Sequence, residues 1–137
     1  MHMRKFEIID SGDGRSVRVT ASTKAGFAIA ALNGLFAVAA PRVDEEEAGL
    51  VRQPFDVQAD GFGHLLAALL EKAAALAAAG NEMYEDIRFS LVTDTKAVGE
   101  LVGKPVHGFR SAVRKAGEIK VEKNEEGMWE SVIAFRP

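Results

Sequence analysis

Apolar positions recur along this chain with two periods, and each period marks a different kind of element. In Val17-Arg18-Val19-Thr20-Ala21 they alternate with polar positions, as in a strand with one buried face. Phe6-Glu7-Ile8-Ile9 has the same strand-forming content. Asp10-Ser11-Gly12-Asp13-Gly14 joins the two runs with residues that tolerate turn geometry, so a hairpin-like start is expected. From residue 23 the spacing changes to three and four. Phe27, Ala31, Leu35 and Val38 mark a helix over residues 23–40, capped by Ser22 or Thr23 and stopped by Pro41. Gly26 and Gly34 each weaken that helix by up to ~1 kcal/mol relative to alanine, which argues for close packing against a sheet.

Residues 50–57 read as a third strand. Asp60 then offers a cap for a second helix over residues 61–79, whose stripe is Phe62, Leu65, Leu66, Leu69, Leu70, Ala73 and Leu76 and whose end is Gly80-Asn81. Residues 87–92 and 97–102 read as strands on either side of Thr93-Asp94-Thr95, with a further strand around 109–113. A last hairpin pairs residues 118–122 with 128–135. Helices are too few to alternate with strands. The expected architecture is therefore α+β: a two-layer sandwich of a mostly antiparallel sheet with two main helices packed on one face, forming a single domain over residues 1–137.

Composition narrows the function classes. At 47% hydrophobic and 27% charged residues, no long segment needs to stay unfolded. The absence of cysteine excludes disulfides, thiolate zinc sites and cysteine nucleophiles, and it fits a reducing, cytoplasmic setting. The amino terminus has no apolar signal core and the longest apolar stretches are interrupted by charge, so neither secretion nor membrane insertion is expected. A formal net charge of -3 argues against the basic surface that direct nucleic-acid binding needs, which leaves a protein partner or a small ligand. The local cluster Arg110, Arg114, Lys115 and Lys120 is broken by Glu118 and Glu122 and reads as a solvated strand.

Catalytic signatures are missing. Asp10-Ser11-Gly12-Asp13-Gly14 superficially suggests a calcium loop, but the longer acidic series and closing glutamate of such loops do not follow it. His2, His64 and His107 have no second ligand at helical spacing and read as surface or cap residues, and Asp44-Glu45-Glu46-Glu47 reads as a solvated loop. No serine sits in a nucleophile elbow, and there is no phosphate-binding or dinucleotide fingerprint. Trp129 is expected to be a partly buried cross-strand contact.

The order of elements resembles the archease family, small accessory proteins that activate the tRNA-splicing RNA ligase. An archease opens with a strand and His-Thr-Ala-Asp, then a second strand and a helix like Thr-Leu-Glu-Glu-x-Phe-x-x-Ala-Ala-x-x-Leu-Phe. Here the corresponding residues are Phe6 to Asp13, Val17 to Ala21, and Thr23 to Leu35-Phe36. The family's leucine-rich central helix resembles Gly63-His64-Leu65-Leu66-Ala67-Ala68-Leu69-Leu70. Its strand ending in Gly-Glu resembles residues 97–105, and its closing tryptophan hairpin resembles residues 127–135. The resemblance implies a divalent-metal site, calcium or magnesium, held by the aspartate of the opening motif and one near the carboxy terminus. Asp13 fills the first place with a one-residue realignment, and Asp10 is the neighbouring carboxylate. Arg136 stands in the second place and cannot ligate a cation. Ser11 replaces the motif histidine, while Ala112 and Gly117 replace a lysine and a histidine of a later segment.

The resulting expectation is a non-enzymatic, archease-like accessory domain that binds a protein partner, the RNA ligase machinery of tRNA splicing or RNA repair, with the metal site altered or lost. The alternative is a small anionic-ligand-binding domain or enzyme with a pocket between the 10–14 loop and Arg136. A third reading is a homo-oligomer formed through an edge strand.

Overall fold

A computed structural model of the chain describes residues 3–11, 14–43, 49–111 and 115–136. In chain order the elements are β1 (Arg4–Ser11), β2 (Gly14–Ala21), α1 (Lys24–Ala39), β3 (Val51–Gln58) and α2 (Phe62–Gly80). They continue as β4 (Glu82–Val92), β5 (Lys96–Pro105), β6 (Lys115–Ala116), β7 (Glu122–Lys123) and β8 (Trp129–Arg136).

The opening hairpin forms as the alternating pattern predicts. β1 and β2 pair antiparallel without a break, from Arg4 opposite Ala21 to Ser11 opposite Gly14. The other side of β2 takes β8, with Ala21 opposite Trp129 and Arg15 opposite Phe135. Short strands β6 and β7 pair opposite ends of the far side of β8. A second antiparallel sheet has the order β3-β5-β4.

The fold is thus α+β, with two helices and two antiparallel sheets among the described residues and the helices packed against strands. The one sheet expected from the sequence is divided in two, and the reason lies in α1. Ala28, Ile29, Ala30, Ala31 and Leu32 are buried in succession, which covers more than a full helical turn. A helix apolar on every side must be covered on every side. It packs against β1, β2 and β8 of the first sheet and against β4 of the second, so it is not confined to one face of one sheet. α2 buries Leu65, Leu66, Leu69 and Leu70 and contacts β3, β4 and β5. By length and composition α2 could also cross a membrane, but those leucines belong to the same core as Phe27, Phe36, Leu101 and Phe135.

Local chemistry sets the helix ends. The Thr23 hydroxyl accepts a 3.0 Å hydrogen bond from the Gly26 N–H, which makes Thr23 the N-cap of α1. Ala40 closes that helix in the left-handed region, and Asn81 does the same for α2. The close packing expected at Gly34 is present: a β-carbon there would meet Val17 Cγ1 at 2.6 Å.

Two expected strands differ. Around residue 109 the chain makes only an isolated bridge, Phe109 to Pro41, and the Arg110 N–H donates to the Ala40 carbonyl, so this stretch closes the end of α1. Ala112 and Val113 lie outside the described residues. In the last hairpin the strand before the turn shrinks to Glu122–Lys123, because buried Ile119 and its neighbours are drawn over α2 and away from β8.

Candidate functional site

The two ends of the first sheet carry different residues. At one end lie the positions singled out by the archease resemblance. By backbone register Asp10 is opposite Arg15, Arg15 is opposite Phe135, and Arg136 is opposite Lys115. The start of the hairpin turn and the last residues of β8 therefore lie at the same end of one sheet, with Arg136 one step out of the row that holds Asp10. Asp13 lies outside the described residues, as do the acidic run at 44–47 and Arg114.

At the opposite end, side chains from four separate segments converge. Lys24 is the first residue of α1, and its ammonium pairs with the Asp94 carboxylate from the β4–β5 turn. The same ammonium lies 5.8 Å from the ring centroid of Phe62, at the start of α2, and 5.9 Å from that of Trp129, at the start of β8. Lys123 approaches Trp129 at 4.9 Å. These distances are within the range in which a cation is attracted to a ring face. Phe62 is held in turn by Phe27, edge to face at 6.2 Å.

The backbone explains why these groups meet. Thr93 Oγ1 accepts hydrogen bonds from the Thr95 and Lys96 N–H groups, which shapes the turn that presents Asp94. The Ala59 N–H donates to the Thr95 carbonyl at 2.9 Å and ties that turn to the start of α2. Gly63 admits the segment before β7, since a β-carbon there would stand 2.2 Å from the Ile119 carbonyl oxygen. Between these walls lies a cleft of about 460 Å³ lined by Lys24, Asp60, Phe62, Asp94, Thr95 and Trp129, among others.

Asp60 is not the helix cap that its position suggests. Gly61 occupies the N-cap and makes no side-chain cap bond, while Asp60 pairs with His64 one turn along. The hydrogen bond to His64 and the charge of that ring hold the Asp60 carboxyl below its usual range. The same hydrogen bond and the Asp60 charge raise His64 above the ordinary imidazole value. Both side chains are largely exposed, so this is a surface pair.

The cleft combines two aromatic faces with a lysine paired to an aspartate. Among the described residues no group of three or more histidine, aspartate or glutamate side chains could hold a metal ion. Trp129 packs against the core as a half-buried side chain, as its alternation predicts. The remaining members were not legible: Lys24, Phe62 and Asp94 are far apart in sequence, and no local spacing connects them. Of the basic cluster, Lys120 lines a groove of mixed charge with Glu118, Glu122, Lys123 and Glu130.

Compared with known proteins, the chain matches no family model and no curated relative.

Proposed function

We propose that this chain is an archease-like accessory domain of the cytoplasm. In this reading it binds a protein partner, the tRNA-splicing RNA ligase machinery, and its divalent-metal site is altered by Arg136. One observation supports the reading above the others. The register of β1, β2 and β8 brings the opening turn and the carboxy-terminal residues to the same end of one sheet, as a site shared between those two segments requires. The order of two strands, helix, strand, helix, four strands, two of them only two residues long, and a closing tryptophan strand is compatible with the same family. The substitution at Arg136 separates partner binding from metal-dependent activation, because a guanidinium supplies positive charge where the family holds a cation.

The test uses the purified chain and the RNA ligase of the same cell. Co-elution in size exclusion, together with a change in multiple-turnover ligation when the chain is added, is the expected result. No complex and no effect on ligation would remove the proposal. Calorimetric titration with calcium, magnesium and manganese, with Asp13→Ala as control, tests the metal part. Binding tighter than about 10⁻⁴ M that vanishes in the variant would mean that a working cation site survives.

A further inference from the structure

The free strand edges of this fold are not equally protected. A bare edge presents unpaired N–H and C=O groups and invites another strand, so edges are normally blunted by proline, bulges, charge or a covering segment. The far edge of β8 is covered at its two ends by β6 and β7. β3 carries Pro54 in its middle. β4 is bent by two register shifts, at Tyr84/Asp86 and Phe89/Leu91. β1 carries charged residues, Lys5 and Glu7 among them, but none of the other three devices. It runs eight residues without a proline or a bulge, and among the described residues it pairs with β2 alone.

The side chains of β1 are also unfinished. Phe6 and Ile8 stand opposite Val19 and Val17, both fully buried, yet they are themselves 38% and 42% exposed. Met3, at 48%, adds apolar surface just before the strand, beside a small hollow against Ala25, Gly26 and Ile29 of α1. One more strand beside β1 would cover Phe6 and Ile8.

We propose that the edge of β1 is an interface between two copies of this chain, paired antiparallel about a two-fold axis at Phe6. A two-fold pairing is self-complementary, so each choice of axis dictates every opposed pair. An axis at Phe6 sets Phe6 against its counterpart and places Lys5 of each copy opposite Glu7 of the other, giving two opposite-charge pairs. An axis at Glu7 would oppose two glutamates, and an axis at Lys5 two lysines. An axis at Ile8 would set Glu7 against Ile9 and leave the charges unmatched. Directly opposed residues interact across a ladder, favourably for unlike charges and unfavourably for like ones. The charge pattern of β1 therefore selects a second copy of itself as occupant and selects the register as well. The result is one continuous sheet across both copies, with the two α1 helices on the same side.

The test is sedimentation from low micromolar to millimolar concentration with two charge variants. The wild-type chain is expected to shift reversibly from monomer to dimer. K5E opposes two carboxylates at each of the paired positions, and E7K opposes two ammonium groups, so each variant alone is expected to stay monomeric. An equal mixture of the two places like with unlike charge again and is expected to dimerise. Both positions are exposed, and circular dichroism verifies folding. Because the chain has no cysteine, a mixture of K5C and E7C offers a second readout: a disulfide between copies is expected in the mixture and not in either variant alone. A wild-type chain that is monomeric throughout, a dimer indifferent to both charge variants, or a cysteine mixture without cross-link would overturn the proposal.

Discussion

Gly34 of α1 faces Val17 of β2 so closely that a β-carbon on the glycine would stand 2.6 Å from the valine Cγ1. Val17 is fully buried and opposite Ile133, so it has nowhere to move. Gly34→Ala would gain about 1 kcal/mol of helix propensity. It would also overpack the helix–sheet contact, at a cost of ~1–3 kcal/mol. The expected net result is a loss of stability and a lower urea midpoint with unchanged slope. A stabilised variant would show that the helix can step away from the sheet.

Tyr84 is fully buried, and its hydroxyl donates a 2.8 Å hydrogen bond to the Glu82 carboxylate, which also accepts one from Gln53. Its ring meets Phe36 edge to face at 5.8 Å. Tyr84→Phe keeps the packing and removes the hydrogen bond, for an expected loss of ~1–2 kcal/mol in a urea melt.

The same tyrosine predicts an alkaline limit to stability. Burial first, and then the hydrogen bond to Glu82 and its charge, push the phenol well above its ordinary range. The unfolded chain releases this proton near pH ~10 while the folded chain keeps it. The stabilising contribution is therefore complete below that pH and falls as pH rises. The chain has one tyrosine, so tyrosinate absorbance reports Tyr84 alone. Absorbance rising only together with unfolding is expected, and ionisation within the folded state would contradict the assignment.

His64 and Asp60 give a pair of opposite signs. His64 is raised, so its contribution is complete below the unfolded value and disappears as pH rises through the folded one. Asp60 is lowered, so its contribution is complete above the unfolded value and disappears as pH falls through the folded one. The pair is intact in the window between. An NMR titration is expected to place His64 above ~6.5, and Asp60→Asn is expected to return it toward that value with little change in melting temperature, since exposed pairs contribute little. An unchanged His64 titration in the variant would mean that another group raises it.

Much of the local structure was legible in the pattern of apolar residues. The two helices, the opening hairpin, the Thr23 cap and the strand run on either side of Asp94 follow from period and capping chemistry within short windows. β6 and β7 were less legible, because they are two residues long and depend on pairing with β8. The β4 bulges gave no local signal, since a bulge is a relation between two strands.

By itself the sequence determined the two helices, the opening hairpin and the strands on either side of Asp94, because these follow from spacing of three to four or two along the chain. Only the tertiary structure decided that the strands divide into two sheets, that α1 lies against both, and that Lys24, Phe62, Asp94 and Trp129 share one cleft. Those outcomes depend on burying a helix apolar on all sides and on contacts between residues far apart in the chain. It also decided that β1, and not β3, β4 or β8, is the regular edge left open, because an edge is defined by which neighbour is missing.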